Sequence, residues 1–292
     1  MQQKITTEQI EQHNIDSLPE TVEIVYPEDK LDKRKDDAQN AHLDLAYANL
    51  KICVPNVSDF KGEDFTLIRR DGFGTSDSSV LLGVNPYKTL SELIDEKATA
   101  TISEQEKALS KNVAIRKGND LEPLIIDKFS KQFKQATWKP MDMYEHNEYP
   151  YLKFNFDGVT GEPNAYYPAE IKVITARGEK NYNPERAFYI EGQGLVFDPE
   201  DVSESNMSIE NKAHYYGIPP YYYTQLQQEI LGTNAKFGYL CTLSERSWDL
   251  VVYKVYRDEH TINAIKINGY KAWQKVMALR KERGYGPRLG RY

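Results

Sequence analysis

The sequence predicts an α/β fold, a central mixed β-sheet flanked by helices. Three observations predict it. Segments with helical and strand-like patterning follow one another as helix, strands, helix, strand, strand, helix, an order that suits an α/β sandwich. Hydrophobic residues make up 40% and aromatics 12% of 292 residues, enough for a sizeable core. The third is the stretch "FNFDGVTGEPNAYYPAEIKV" (154–173), which reads as two strands joined by a polar turn.

Residues 1–58 are polar and rich in charge and read as an N-terminal extension, with one helix from about Asp36 to Leu50. The body, 59–292, opens with "GTSDSSVLLGVNPYKTLSELIDEKA", which gives two short helices. Thr75 or Ser76 can cap the first and Gly83 can end it. Thr89 and Glu92 have capping-box spacing for the second. In "GNDLEPLIIDKFSKQF", Leu121, Ile125, Phe129 and Phe133 recur at helical spacing, so this helix faces the core. After the hairpin comes an irregular insert at about 175–217, in which "AFYIEGQGLVF" suggests a small hairpin around Gly-Gln-Gly. "IPPYYYTQLQQEILG" is a helix with proline at its start and Gly232 just past its end. "KFGYLCTL" and "SWDLVVYKVY" read as paired strands. An amphipathic helix from about Asp258, carrying Ile262, Ile265, Trp273 and Val276 inward, precedes a basic tail, "RKERGYGPRLGRY".

Composition excludes several functions. The net charge of −7 disfavours nonspecific coating of nucleic acid, since phosphate affinity comes from Lys and Arg. It does not exclude a local basic channel in an enzyme whose ligands are carboxylates. Two cysteines, Cys53 and Cys241, support neither a four-cysteine metal site nor a disulfide framework. No apolar run approaches the roughly 20 residues of a membrane span, and the first residues lack the apolar core of a signal peptide. The chain reads as cytoplasmic. No phosphate-binding Gly-x-x-x-x-Gly-Lys-[Ser/Thr] loop is present.

The hairpin carries the chemistry. Side chains at i and i+2 of a strand share a face, so Glu170 and Lys172 point one way and Ile171 the other. The flanking "AEIKVI" is apolar, and a buried carboxylate or ammonium must be paired or metal-bound. An exposed Glu–Lys pair is the alternative. Folding the hairpin brings Asp157, ahead of Gly158, beside Glu170, and two adjacent carboxylates repel unless a cation separates them. Hard divalent cations take oxygen ligands of this kind. Glu122 is a third acid, a further ligand from the packed helix, although Asn119 to Glu122 also has the spacing of an N-terminal cap. Gln225 can hold a water or the scissile phosphate. Arg69 and Arg70 precede a glycine turn that opens a helix, and with Thr75 or Ser76 they can bind phosphate; a merely capped helix is the alternative.

Taken in order, Arg69 or Arg70…Gly72-x-Gly74-x-Ser76-Asp77, Leu121-Glu122-Pro123, Phe156-Asp157-Gly158, Glu170-x-Lys172 and Tyr222-x-x-Gln225-x-Gln227 resemble the YqaJ-like viral recombinase nucleases, relatives of lambda-type alkaline exonuclease within the PD-(D/E)XK nucleases. The resemblance runs from about Phe60 to the closing helix. It implies a PD-(D/E)XK restriction-endonuclease-like fold and a Mg²⁺-dependent (Mn²⁺ substituting) 5′-to-3′ exonuclease. The substrate would be linear double-stranded DNA in phage-type recombination by single-strand annealing, with two-metal phosphodiester hydrolysis. It further implies Asp157, Glu170 and the carbonyl of Ile171 as metal ligands, with Glu122 near the second metal or its water. Lys172 would be the catalytic lysine and Gln225, in preference to Gln227, the motif glutamine. Ser76 with Arg69 or Arg70 would hold a terminal 5′-phosphate. The partners implied are duplex ends, a single-strand annealing protein and further copies of the chain in a ring, trimer or tetramer, within a bacterial host. The insert and the extension depart from the pattern. A structure- or sequence-specific endonuclease of the same fold, and a non-catalytic relative binding DNA or protein through Arg280, Lys281, Arg283, Arg288 and Arg291, are the alternatives.

Overall fold

The structure is a computed structural model, and it describes residues 4–5, 23–24, 48–104, 113–162 and 165–290. From residue 48 onward the strands are β1 Leu50–Val54, β2 Thr137–Trp138, β3 Met143–His146, β4 Lys153–Phe154, β5 Val159–Glu162, β6 Ala165–Ile174, β7 Tyr189–Ile190, β8 Gly194–Leu195, β9 Phe237–Ser244 and β10 Leu250–Tyr256. The α-helices are α1 Gly62–Arg70, α2 Ser78–Leu81, α3 Leu90–Lys97, α4 Val113–Phe133, α5 Ile209–Tyr215, α6 Pro220–Thr233 and α7 Glu259–Glu282.

Seven strands form the main sheet in the order β8-β7-β10-β9-β6-β5-β2. Only β6 and β9 run parallel; the other neighbours are antiparallel. Its two faces are covered differently. Ile171, Cys241, Leu243 and Val252 pack under Ile125 and Phe129 of α4. Leu240, Tyr253 and Val255 pack under Leu226 and Ile230 of α6. This alternation along β9 and β10 is the period-2 pattern of strands buried on both faces. A smaller sheet, β1-β3-β4, adjoins it. The expected α/β sandwich and the pairing of the two C-terminal strands are therefore present, as is the Gly-Gln-Gly hairpin, which extends the main sheet through β7.

Several boundaries differ from expectation. Most of the helix expected over 36–50 lies outside the described residues, but Leu50 opens β1, and Ala48 and Leu50 lie in the core rather than in a detached arm. α4 begins at Val113 and runs through Asn119, so Asn119 is no N-cap. Neither Thr75 nor Ser76 caps α2; a 3₁₀ turn, Thr75–Asp77, precedes it, and the Gly74 N–H donates to Asp77 Oδ2 at 2.9 Å. Gly232 lies inside α6 instead of after it, and Asn234 at φ +55° ends the helix. The reason is packing: a Cβ on Gly232 would sit 2.6 Å from Cε1 of Phe154. The Thr89–Glu92 capping box forms as expected, as does the start of α7, where Asp258 accepts from the N–H groups of His260 and Thr261. Arg280, read as the first residue of a basic tail, is inside α7 and fully buried.

His146 gives the fold a pH dependence. It is 3% exposed, and its Nδ1 accepts from the backbone N–H of Glu148 (3.1 Å) and Tyr149 (3.3 Å). Burial pushes its pKa down to about 4 from 6.5. The folded state thus resists a proton that the unfolded chain accepts. The contribution is fully present above pH 6.5 and is lost as pH falls toward 4, at about 1.4 kcal/mol per pH unit. Urea unfolding is expected to show a loss of about 2 kcal/mol between pH 7 and pH 5 that His146→Gln removes.

Candidate active site

The register of the β5–β6 hairpin builds the site. Val159 pairs with Pro168, and the Ala169 N–H donates to Gly158 O at 2.9 Å. Asp157, in the bend just before β5, therefore arrives beside Glu170 and Ile171, and the Ile171 N–H lies 3.4 Å from Asp157 Oδ2. Glu170 and Lys172 share the face under α6, while Ile171 packs beneath α4. Lys172 Nζ donates to Ile171 O at 2.9 Å and to Asp157 Oδ2 at 3.1 Å, and it contacts Glu170 Oε1. Two carboxylates and one carbonyl thus converge on a single cationic point, which here holds the ammonium.

From the opposite side α6 contributes Gln225. Its Nε2 donates to Glu170 Oε1 at 2.6 Å and lies 3.5 Å from Thr75 Oγ1. One turn on, Glu229 is buried within 3.4 Å of the same amide. Sequence reasoning missed Glu229. The available signal was its i+4 spacing from Gln225, which puts both on one face of the helix. It also missed Gln228, whose Nε2 donates to Phe73 O (3.1 Å) and Lys153 O (3.3 Å), tying α6 to the glycine turn. Gln227 faces away, its amide donating to Tyr256 O at 2.7 Å and accepting from the Asp258 N–H. In the same turn a Cβ on Gly72 would meet Lys153 Cγ at 2.5 Å, so only glycine lets the turn lie against β4.

Charge is divided within the cluster. Burial would raise the Asp157 carboxyl, but Lys172 and Lys139 hold it below the usual carboxylate range. Burial and the charge of Asp157 raise Glu170. Glu229 is pushed well above its ordinary value by burial and by Glu170. Burial alone would lower Lys172, yet Asp157 and Glu170 hold it well above its ordinary value, fully ammonium. The side chains of Lys172 and Asp157 keep 27% and 25% exposure against 2% for Glu170. The site therefore opens to solvent on the Asp157–Lys172 side.

Not every anticipated residue joins. Glu122 is near enough for its acidity to respond to Asp157, but its carboxylate is held by Lys139 at 2.6 Å. Burial raises its pKa, and the lysine pairing offsets part of that cost. Among the described residues no group of three or more His, Cys, Asp and Glu side chains is placed to hold a metal ion. The two arginines separate. Arg70 is 1% exposed, with Nη1 donating to Thr99 O (2.7 Å) and Thr101 O (3.0 Å), so it pins the segment after α3 and does not reach an open phosphate pocket. Arg69 is exposed, above the Phe65 ring. Ser76 is exposed on the turn, whereas Thr75 is buried against Gln225.

The oxygen set of Asp157, Glu170 and Ile171 fits a hard divalent cation, because it already gathers around a cationic group and offers only hard donors. Among the described residues no helix is long and apolar enough to cross a membrane.

The YqaJ protein of Bacillus subtilis (strain 168) is 29% identical over 129 residues, 44% of this chain. That match spans 38% of the relative's length. The crystal structure of an alkaline exonuclease (LHK-Exo) from Laribacter hongkongensis superposes with a TM-score of 0.50 at 15% identity, over 76% of this chain and 96% of that one, a likeness of fold. The sequence profile of the YqaJ-like viral recombinase domain matches residues 64–236, more than half of the chain and every residue of the converging cluster. The chain belongs to the family of YqaJ-like viral recombinase domains.

Proposed function

We propose that this protein is a divalent-metal-dependent deoxyribonuclease, a lambda-type exonuclease that degrades linear duplex DNA from a 5′-phosphorylated end. The observation that carries the reading is the convergence of Asp157 Oδ2, Glu170 Oε1 and Ile171 O on one cationic position, which the Lys172 ammonium occupies and Gln225 borders. Asp157, Glu170 and the Ile171 carbonyl would hold Mg²⁺, which supplies Lewis-acid polarisation of the phosphate and a more acidic water when bound. The chain's own groups do the remainder. Lys172 stays charged, so it orients the attacking water and offsets charge on the phosphate rather than taking a proton. Gln225, with Glu229 beside it, braces Glu170 from behind and keeps its carboxylate aimed at the convergence point. The buried α6 face excludes water from that side. Thr75, Ser76 and exposed Arg69 stand on the flank where a terminal phosphate would be gripped.

Within this reading, release of a 3′ single strand suits a single-strand annealing protein as partner. A ring of copies around the duplex would supply processivity to an acidic chain. The test uses the full chain on linear duplex with 5′-phosphate, linear duplex with 5′-hydroxyl, and covalently closed circles, with Mg²⁺ and with EDTA. The first is digested with Mg²⁺ only, the second more slowly, and circles persist. Nicked circles would instead favour the endonuclease alternative, and failure to cut any of the three with Mg²⁺ sinks the proposal.

A further inference from the structure

Beside the cluster runs a file of tyrosine rings that the reaction chemistry does not use. The Tyr222 ring centroid is 5.7 Å from Lys172 Nζ. Tyr182 stacks on it at 6.4 Å, and Tyr221 meets it edge-on at 4.6 Å. Tyr87 continues the file, 6.1 Å from Tyr221, and is 81% exposed. An exposed aromatic ring is unremarkable when it hangs on a loose loop. This one is held. Asn85 Oδ1 accepts from the backbone N–H of Tyr87 (2.8 Å) and Lys88 (3.0 Å), and Asn85 Nδ2 donates to Ser79 Oγ at 2.8 Å. The loop is thereby pinned to α2, the helix that follows Thr75 and Ser76. Tyr221 and Tyr222 open α6, one turn before Gln225. The file therefore leads from the catalytic ammonium to an open π-face, on the same supports that carry the rest of the site.

We infer that Tyr87 and Tyr221 form a stacking platform for a nucleobase of the DNA strand whose phosphate lies at Lys172. The inference rests on the nuclease reading and adds to it a base-binding subsite. Each nucleotide places its base one sugar away from its phosphate, so a strand with a phosphate at Lys172 can run along the file with a neighbouring base at Tyr221 and Tyr87. Stacking on an aromatic face needs no base-specific hydrogen bond, so the subsite accepts any base.

The test compares binding of the full chain to a 5′-phosphorylated linear duplex and to the same duplex with abasic residues at its two 5′-terminal positions, with Ca²⁺ replacing Mg²⁺. Wild type should bind the abasic end about 10-fold more weakly. Tyr87→Ala should lose about the same factor on the intact duplex and no longer distinguish the two, while Tyr87→Phe, which keeps the ring, should behave as wild type. A 2-aminopurine at the 5′ end should be quenched by wild type and by Tyr87→Phe but not by Tyr87→Ala. Circular dichroism confirms that the exposed substitution leaves the fold intact. Equal affinity for intact and abasic ends, or Tyr87→Ala within 2-fold of wild type, overturns the subsite. The nuclease reading fails separately, by absence of Mg²⁺-dependent digestion by wild type.

Discussion

Replacing Lys172 by alanine is expected to cut Mg²⁺-dependent digestion of linear duplex by at least about 10²- to 10³-fold, the loss seen when a positioned charge-stabilising group is removed from an active site. The same substitution should have a second signature. Without the ammonium, Asp157 Oδ2 and Glu170 Oε1 face each other with no cation between them. The variant should therefore melt below wild type in EDTA. Added Mg²⁺ should raise its melting temperature by more than it raises that of wild type, because the wild-type ammonium competes for the same point. Thermal scans with and without Mg²⁺, beside a digestion assay, check both. A wild-type digestion rate in Lys172→Ala would overturn the assignment. Unchanged melting in EDTA would show that the two acids do not depend on that charge.

Arg280→Ala should have the largest effect on stability, about 3–5 kcal/mol. The guanidinium is fully buried. Its Nε donates to Lys97 O (3.0 Å), its Nη2 to Arg70 O (2.7 Å) and Lys97 O (2.8 Å), and its Nη1 to Pro287 O (2.6 Å) and Asp71 Oδ1 (3.1 Å). Asp71 in turn accepts from the N–H groups of Leu289 and Gly290. Truncation leaves a buried aspartate without its cation and several carbonyls without this donor, and the C-terminal segment then holds to the turn only through the Leu289 and Gly290 N–H groups on Asp71. Arg280→Lys should recover little, since a single ammonium cannot replace the planar fork. Denaturant unfolding measures the loss, and a change under 1 kcal/mol would show that water replaces the lost bonds. Activity should fall as well, because Asp71 leads directly into Gly72–Ser76. This clamp also redefines the tail: the arginine offered as its first contact for an external partner is committed to the interior.

The hairpin was legible because it is local. A period of two fixes Glu170 and Lys172 to one face, and a short connection brings Asp157 back beside them. Element types followed for the same reason, from α3 with its capping box to α7 with Asp258 at its head. Gln225 could be chosen over Gln227 only through the resemblance; its contact with Glu170 depends on how α6 lies across the sheet. Glu229 carried a visible i+4 relation but no sign that its face was buried. Asn119–Glu122 reads as a cap in sequence and sits in mid-helix, because α4 is already helical from Val113. Gly232 reads as a helix end and is a contact point for Phe154.

The amino-acid sequence by itself determined the order of elements, the pairing of acids and lysine on one strand face, and the family pattern. These rest on neighbours a few residues apart, whose relation is set by backbone geometry. Tertiary structure alone decided which arginine stays exposed, that Glu122 pairs with Lys139, that Glu229 is buried behind Glu170, and that the tyrosines form a file to Lys172. Those outcomes depend on which surfaces lose water when distant segments meet, and the cost of burying a charge or an open π-face is not defined until they do.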